Sequence, residues 1–289
     1  MNHIPVLQKQ VLEYLNPKPN ENFIDATFGA GGHSAAILKE NGPHGKILGI
    51  ELDAELLKIA ELRKRLILAQ GNFVNLKEIV ENNNFKNISG ILIDLGFSSW
   101  HIEKSGRGFS FQKNEPLDMR FSSDSDLTAK EILNQWPEKE IENILKEYGE
   151  ERFAKRIAKK IYEVRKIKSI NTTFELVGII KKSVPKWYQR QRINPATRTF
   201  QALRIAVNDE LNNLRKFLPQ ALEILNPDGR LVIISFHSLE DRIVKNFFRK
   251  KKRQGLVKVL TKKPVRPDRE EIKINPRSRS AKLRAIIKT

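Results

Sequence analysis

Three short stretches carry the chemistry this sequence can do. Phe23-Ile-Asp-Ala-Thr-Phe-Gly-Ala-Gly-Gly-His-Ser34 is an apolar run that ends on an acid and breaks into glycines ahead of a helical pattern. Gly29, Gly31 and Gly32 tolerate positive φ and leave no Cβ, so backbone can approach a ligand lying across a strand's carboxyl end. A nucleoside-containing cofactor is the natural occupant, and plain turn chemistry is the alternative. The turn departs from G-x-G-x-x-G because Ser34 stands at the third glycine position, which disfavours a pyrophosphate packed close to the helix. Lys46-Ile-Leu-Gly-Ile-Glu51 ends on a carboxylate about twenty residues after the glycines, the spacing at which an acid grips a ribose diol. Gly90-Ile-Leu-Ile-Asp94 brings a third acid to the end of an apolar run, ahead of Leu95-Gly-Phe-Ser-Ser99.

Converging these groups requires strands whose carboxyl ends share one edge. Val6, Leu7, Val11, Leu12 and Leu15 mark a lead-in helix within residues 1–22 that Pro17 ends. After the first strand, a helix from Ser34 to Asn41 stops at Gly42-Pro43, and the second strand follows. A helix from Ala54 to Lys64, with Leu56, Leu57, Ala60 and Leu62 inward, leads to a third strand at Leu66–Ala69. Beyond it Phe73 has two readings, an adenine contact or a core side chain. The fourth strand is apolar on both faces, as a central parallel strand should be. This alternation predicts an α/β fold, a mostly parallel doubly wound sheet with helices on both faces.

The alternation breaks between residues 111 and 194. Thr128-Ala-Lys-Glu131 and Thr172-Thr-Phe-Glu175 are capping boxes, and Phe153, Ile157, Ala158 and Ile161 recur at helical spacing. An all-helical insertion is expected there, with residues 1–110 and 195–289 forming the cofactor domain. Its basic face, Arg152 to Lys168, reads either as an RNA surface or as a solvated helix face. A single long helix is then expected from Thr197 or Thr199 to Leu218, and Pro227-Asp-Gly turns into a fifth strand at Leu231–Ser235. His237, Ser238, Glu240 and Asp241 open the next helix; they are sequence neighbours with no elbow around the serine, which argues against a hydrolase. Leu256–Leu260 and Lys282–Ile287 complete the strand pattern.

Composition limits the partners. The 289 residues carry a net charge of +19 and a pI near 10, which calls for a polyanionic partner, although a lysine-rich compositional bias accounts for part of it. No apolar run approaches the ~20 residues of a spanning helix and the basic residues are scattered, so nucleic acid is favoured over a membrane. With no cysteine, disulfides and thiolate metal sites are excluded, and with no cleavable hydrophobic start the protein is expected in the cytoplasm. His3, His33, His44, His101 and His237 are too scattered to suggest a metal cluster, so no metal is expected.

Seven ordered runs carry a resemblance across nearly the whole chain. They are Asp25-Ala-Thr-Phe-Gly-Ala-Gly-Gly-His-Ser34, Asp94-Leu-Gly-Phe-Ser-Ser99, Gly106-Arg-Gly-Phe-Ser-Phe111, Pro116-Leu-Asp-Met-Arg120, Asn194-Pro-Ala-Thr-Arg-Thr-Phe-Gln-Ala-Leu-Arg204, Ile234-Ser-Phe-His-Ser-Leu-Glu-Asp-Arg242 and Asn275-Pro-Arg-Ser-Arg-Ser-Ala-Lys-Leu-Arg284. Together they resemble the signature set of the bacterial 16S ribosomal RNA cytosine-N4 methyltransferase family, RsmH, also called MraW. The resemblance implies a class I, Rossmann-like enzyme that uses S-adenosylmethionine to methylate the exocyclic amine of a cytidine in the decoding region, with 16S RNA or the small subunit as partner. It implies cofactor contacts at Gly31, Gly32, His33, Glu51, Phe73, Asp94 and His101, beside Gly29 of the same turn. Glu51 replaces the family's usual aspartate and His101 its usual glutamine; each keeps a polar group.

Methyl transfer from a sulfonium is an in-line displacement, so alignment is the protein's main task. Cytosine N4 is a poor nucleophile, and acceptors on its N–H groups would favour a pyramidal nitrogen. Asp94 with the Leu95 and Gly96 carbonyls fits that role, and Phe97 fits a stack on the extruded base. Leu95-Gly96 stands where other amino methyltransferases carry two prolines, so Asp94 has two readings, catalytic or cofactor-anchoring only. Arg198 and Arg204 are candidates for phosphate contact or for internal ion pairs, and Arg277 and Arg279 for RNA contact. Two other classes remain: a non-catalytic RNA-binding ribosome-assembly factor, which does not explain three cofactor-lining strand ends, and an NAD-dependent oxidoreductase, which does not explain the charge. Reversing the charges of Arg277 and Arg279 together is expected to weaken RNA binding and flatten the salt slope of log K by about 1.5, read by titration at several ionic strengths.

Overall fold

The computed structural model describes residues 5–58, 60, 63–96, 98–123 and 125–289. The chain forms two compact units, one from Met1–Phe97 with Leu211–Thr289 and one from Ser98–Glu210.

The first unit holds a sheet of β1 (Asn22–Asp25), β2 (Ile47–Glu51), β3 (Leu66–Gln70), β4 (Ile88–Asp94), β5 (Leu225–Ser235), β6 (Val257–Val259) and β7 (Lys282–Lys288). Their order is β3-β2-β1-β4-β5-β7-β6. The five strands β1 to β5 pair parallel, whereas β7 runs antiparallel to both β5 and β6. From β1 the chain walks outward to β2 and β3, then returns to lay β4 on the other side of β1. The direction of winding therefore reverses between β1 and β4, which opens a crevice at their carboxyl ends.

Residues alternate between two apolar layers. Phe23, Ile47, Leu92, Val232, Ile234 and Leu283 face α1 (Gln8–Leu15) and α2 (Gly32–Glu40). Ile24, Leu48, Ile50, Ile91, Ile93, Leu231 and Ile233 face α4 (Leu76–Asn82), α12 (Glu210–Ile224) and α13 (Ser238–Arg253). Layers on both sides explain why the sequence shows continuous apolar runs where a half-exposed strand would alternate. Helix α1 is shorter than the lead-in reading: it starts after Leu7, a buried residue at φ 54°, whose N–H donates to Glu271 of α14 (Arg269–Ile274) at 2.8 Å. Helix α3 spans Ala54–Lys58, and Leu62, expected on its inner face, lies outside the described residues. Strand β5 begins earlier than expected, because Asn226–Gly229 bulge out between the Leu225–Ile88 and Arg230–Gly90 pairings.

The second unit is built from α5 (Ser99–Glu103), α6 (Ala129–Gln135), α7 (Glu138–Glu147), α8 (Ala154–Arg165), α9 (Thr173–Ser183), α10 (Lys186–Gln189) and α11 (Ala196–Asn208). Both expected capping boxes form, Thr128 with Glu131 and Thr172 with Glu175. The unit is larger than the stretch 111–194. Its front edge reaches back because His101, Phe109 and Phe121 pack ring on ring, at 5.2 to 5.5 Å between centroids. Its rear edge reaches forward because the single long helix expected after Thr197 is two helices. Asp209 turns left-handed at φ 48° and ends α11, and α12 starts at the next residue. Among the described residues no helix is long and apolar enough to cross a membrane.

Strand β7 is pinned to α13 by Arg284, a residue 7% exposed whose guanidinium donates to both oxygens of Asp241, at 2.6 and 3.2 Å. Replacing Arg284 with Ala leaves that carboxylate largely buried without its bidentate partner. A loss of about 3 kcal/mol in unfolding free energy is expected, measured by urea denaturation.

Candidate active site

Asp25 closes β1, and its side chain is buried. Ser34, in the first turn of α2, donates its hydroxyl to Asp25 Oδ2 at 2.7 Å, and the Thr27 N–H approaches Oδ1 at 3.4 Å. Burial pushes the Asp25 carboxyl up to about 6; the Ser34 hydroxyl opposes that shift and the Glu51 charge adds to it. The pair ties the end of the strand to the start of the helix, so the glycine turn is held from both sides. Gly31 sits at φ 74°, and a Cβ there would lie 2.5 Å from Cζ of Phe28, so the turn admits only glycine at this position.

Glu51 ends β2 one strand away. Its Oε2 accepts the Gly29 N–H at 2.8 Å and its Oε1 accepts the Asp53 N–H at 2.9 Å. The carboxylate expected to hold a ribose is therefore already oriented by the turn it faces. Phe73 opens a short 3-10 turn after β3, where Asn72 caps the Val74 N–H. Its ring meets Phe217 edge-on at 5.5 Å, so it packs against the core while remaining partly exposed.

Asp94 lies at the carboxyl end of β4, two residues past Leu92, which pairs with Asp25. Its N–H donates to Thr27 Oγ1 at 2.7 Å, which couples the ends of β1 and β4. Burial pushes its carboxyl up to about 7; the Gly96 N–H opposes the shift, and the nearby Asp25 and Glu240 charges add to it. Nε2 of His33, a buried residue of the first turn of α2, stands 3.8 Å from Asp94 Oδ2. Asp94 Oδ1 is buried with no hydrogen-bond partner. A buried acceptor left open in this way is what an amine or hydroxyl of a bound nucleoside would satisfy.

The segment after β5 forms the far wall. The Leu95 N–H donates to the Ile234 carbonyl at 3.0 Å, and a Cβ on Gly96 would lie 2.8 Å from the Phe236 ring. The His237–Glu240 run is a capping box. The buried Glu240 accepts the Phe236 and His237 N–H groups at 2.8 and 3.3 Å, while His237 Nδ1 takes the Glu240 N–H at 3.4 Å. Opening α13 thus accounts for the histidine and the acid together, with no hydrolytic grouping. Glu240 also places a charge near Asp94, an effect the sequence reading did not foresee. Asp25 and Ser34 were likewise given no role there. Their signal is an acid closing a strand and a serine nine residues on, in the first helical turn.

Phe97 lies outside the described residues. His101 belongs to the second unit, buried, with Nδ1 2.9 Å from Ser98 Oγ and its ring edge-on to Trp100, Phe109 and Phe121. Arg204 is bound to Glu210 through two contacts at 2.8 and 3.0 Å, so of its two readings the geometry gives the internal ion pair. Arg198 is half-buried and reaches the Tyr188 hydroxyl at 3.3 Å. Arg277 and Arg279 are exposed on either side of the buried Ser278. On the expected basic face of α8, Arg165 donates to the Leu133 and Trp136 carbonyls at 3.0 and 2.6 Å, while Arg152, Lys155 and Arg156 are exposed.

A family model described as the MraW methylase family matches residues 1–289. The ribosomal RNA small subunit methyltransferase H of Dictyoglomus thermophilum is 50% identical over 290 residues, covering 98% of this chain and 95% of that protein. The protein of the same name from Heliobacterium mobile is 45% identical over 308 residues, covering 99% of each. Among solved structures, an rRNA methylase from Streptococcus thermophilus aligns with a TM-score of 0.45 at 11% identity, covering 100% of this chain and 98% of that one.

The two raised carboxyls fix the sign of a pH effect. In the folded protein they hold protons that the unfolded chain releases near its ordinary value of 3.8, so stability is greatest below about pH 4 for these groups. It is lost as pH rises through about 6 for Asp25 and about 7 for Asp94. Urea melts across this window should show unfolding free energy declining as pH rises, and Asp94→Asn should remove the upper part of that decline.

Proposed function

Because this chain belongs to the MraW methylase family over its whole length, we propose that it transfers a methyl group from S-adenosylmethionine to the exocyclic N4 of a cytidine in the decoding region of 16S ribosomal RNA. It does so in the cytoplasm, on the RNA or on the small subunit. When bound, S-adenosylmethionine supplies a methyl group already activated on a sulfonium. The residues that would hold it are those of the glycine turn, Gly29, Gly31, Gly32 and His33, with Glu51, Phe73 and Asp94 on the neighbouring strand ends.

The single observation that carries this reading is the buried, open Oδ1 of Asp94 at the β1/β4 crevice. The cytosine amine donates its lone pair into the ring, and a carboxylate accepting an N4–H helps return that pair to nitrogen as the new C–N bond forms. The proton that nitrogen must then lose passes to the same oxygen. Thr27 fixes the Asp94 backbone and the Leu95 N–H is tied to β5, so the acceptor is oriented before substrate arrives. The Leu95 and Gly96 carbonyls are the acceptors for the second amine hydrogen. The relatives named for small-subunit RNA and the net charge of +19 support an RNA substrate.

Asp94 must be ionised to accept the amine hydrogen, so kcat is expected to rise as pH passes about 7. Asp94→Asn should lower kcat by about 10²–10⁴-fold at saturating S-adenosylmethionine, read by single-turnover methylation, while calorimetry reads separately what cofactor binding loses with that contact. The decisive measurement is nucleoside mass spectrometry of 16S RNA from cells lacking the protein. An undiminished N4-methylcytidine signal would sink the proposal.

A further inference from the structure

A second surface, on the Ser98–Glu210 unit, has the composition of a nucleotide platform. Trp187 is 50% exposed although it lies in a short helix, α10, whose next residue, Tyr188, is buried. The Tyr188 hydroxyl donates to the buried Glu151 at 2.9 and 3.1 Å and accepts from Arg198 at 3.3 Å. Glu151 in turn accepts the Phe153 N–H at 2.8 Å, ahead of α8. The Tyr188–Glu151 pair therefore ties α10 to the segment ahead of α8, Arg198 ties it to α11, and the residue beside the clamp is held outward.

The exposed ring is embedded in cations. The Arg152 guanidinium carbon lies 5.6 Å from the centroid of Trp187, and that of Arg156 lies 5.7 Å from Phe153. Phe153 supports Trp187 at 6.0 Å between ring centroids, with an angle of 62°. Lys186 and Arg190 flank the tryptophan in the chain and are exposed. From Leu176 to Asn208 the sequence has seven basic residues and no acidic one. An indole that served only to cover Phe153 would need none of this charge.

We propose that Trp187, framed by Arg152, Arg156, Lys186 and Arg190, stacks on an unpaired base of the RNA substrate while the cations take its flanking phosphates. A π-face accepts any base, and guanidinium groups bind phosphate through paired donors, so the surface selects a single strand without reading its sequence. A duplex, with its bases stacked inside, cannot use the ring. The inference rests on the RNA-methylating reading above and adds an anchoring point outside the reacting groups.

The test uses the full chain, a short single-stranded oligouridylate and a blunt RNA duplex. Tryptophan emission of the wild type is compared with that of Trp187→Phe, so that the difference reports position 187 alone. The single strand should quench that difference signal and the duplex should not. In steady-state methylation, Trp187→Ala should raise KM for RNA about tenfold at constant kcat, with Trp187→Phe intermediate, because stacking is retained in part. Cofactor affinity by calorimetry should be the same in all three, which separates lost anchoring from damaged folding. Absence of quenching at oligonucleotide concentrations that saturate fluorescence anisotropy would overturn the platform. So would a KM that Trp187→Ala changes only with assembled subunits and not with naked RNA, which would assign the ring to a protein partner. Wild-type protein that shows quenching yet never methylates RNA would instead sink the function proposed above and leave the platform standing.

Discussion

Packing ionisable carboxyls into the ends of β1 and β4 is the constraint around which the rest of the first unit is arranged. Asp25 and Asp94 are both pushed toward their neutral forms by burial; the Glu51 charge adds to the shift of Asp25, and the Asp25 and Glu240 charges add to that of Asp94. Such groups persist only where neighbours satisfy them. Asp25 receives Ser34 and Thr27, while Asp94 keeps one oxygen open. The asymmetry separates an acid whose oxygens are both engaged from one with an acceptor still open, within a single crevice. It also explains why the turn is short and glycine-rich: the Ser34 hydroxyl can reach Asp25 only if the chain doubles back at once.

The winding reversal between β1 and β4 supplies the crevice, and the hydrogen bonds across it supply its shape. Thr27 joins the two strand ends, Glu51 joins the second strand to the turn, and Leu95 is bonded to the strand beyond. Each contact uses a backbone N–H as donor; the Leu95 bond ends on a backbone carbonyl, and the other two end on the Thr27 hydroxyl and the Glu51 carboxylate. The capping box at His237 completes the wall and brings Glu240 near enough to influence Asp94. The contacts that order the crevice are therefore spread over four strand ends.

Much of this was legible in the residues. Parallel strands buried on both faces announce themselves as unbroken apolar runs, and Thr128 and Thr172 announce helix starts by chemistry that needs no tertiary partner. Three other features were not. The helix break at Asp209 depends on a left-handed aspartate, a conformation no local pattern demands. The ion pair of Arg204 with Glu210 spans that break, so it does not follow the three- or four-residue spacing of a continuous helix. The front edge of the second unit is set by rings packing on His101, a residue whose resemblance-based reading pointed to the cofactor. A single side chain takes its surroundings from tertiary partners that no local pattern names, whereas strand ends are set by topology, which lays Asp25 beside the end of β4.

The Ser98–Glu210 unit lies in the chain between β4 and β5, which pair along their length in the middle of the sheet. An unfolded segment of that size would tax the closure of this central ladder with a large loop entropy. A segment that collapses first into its own helical core presents short, ordered ends, and the effective loop becomes a fraction of its contour. Folding speed of the sheet is thereby coupled to the local contacts of the helical unit. A lesion in the helices would thus delay assembly of the strands that carry Asp94.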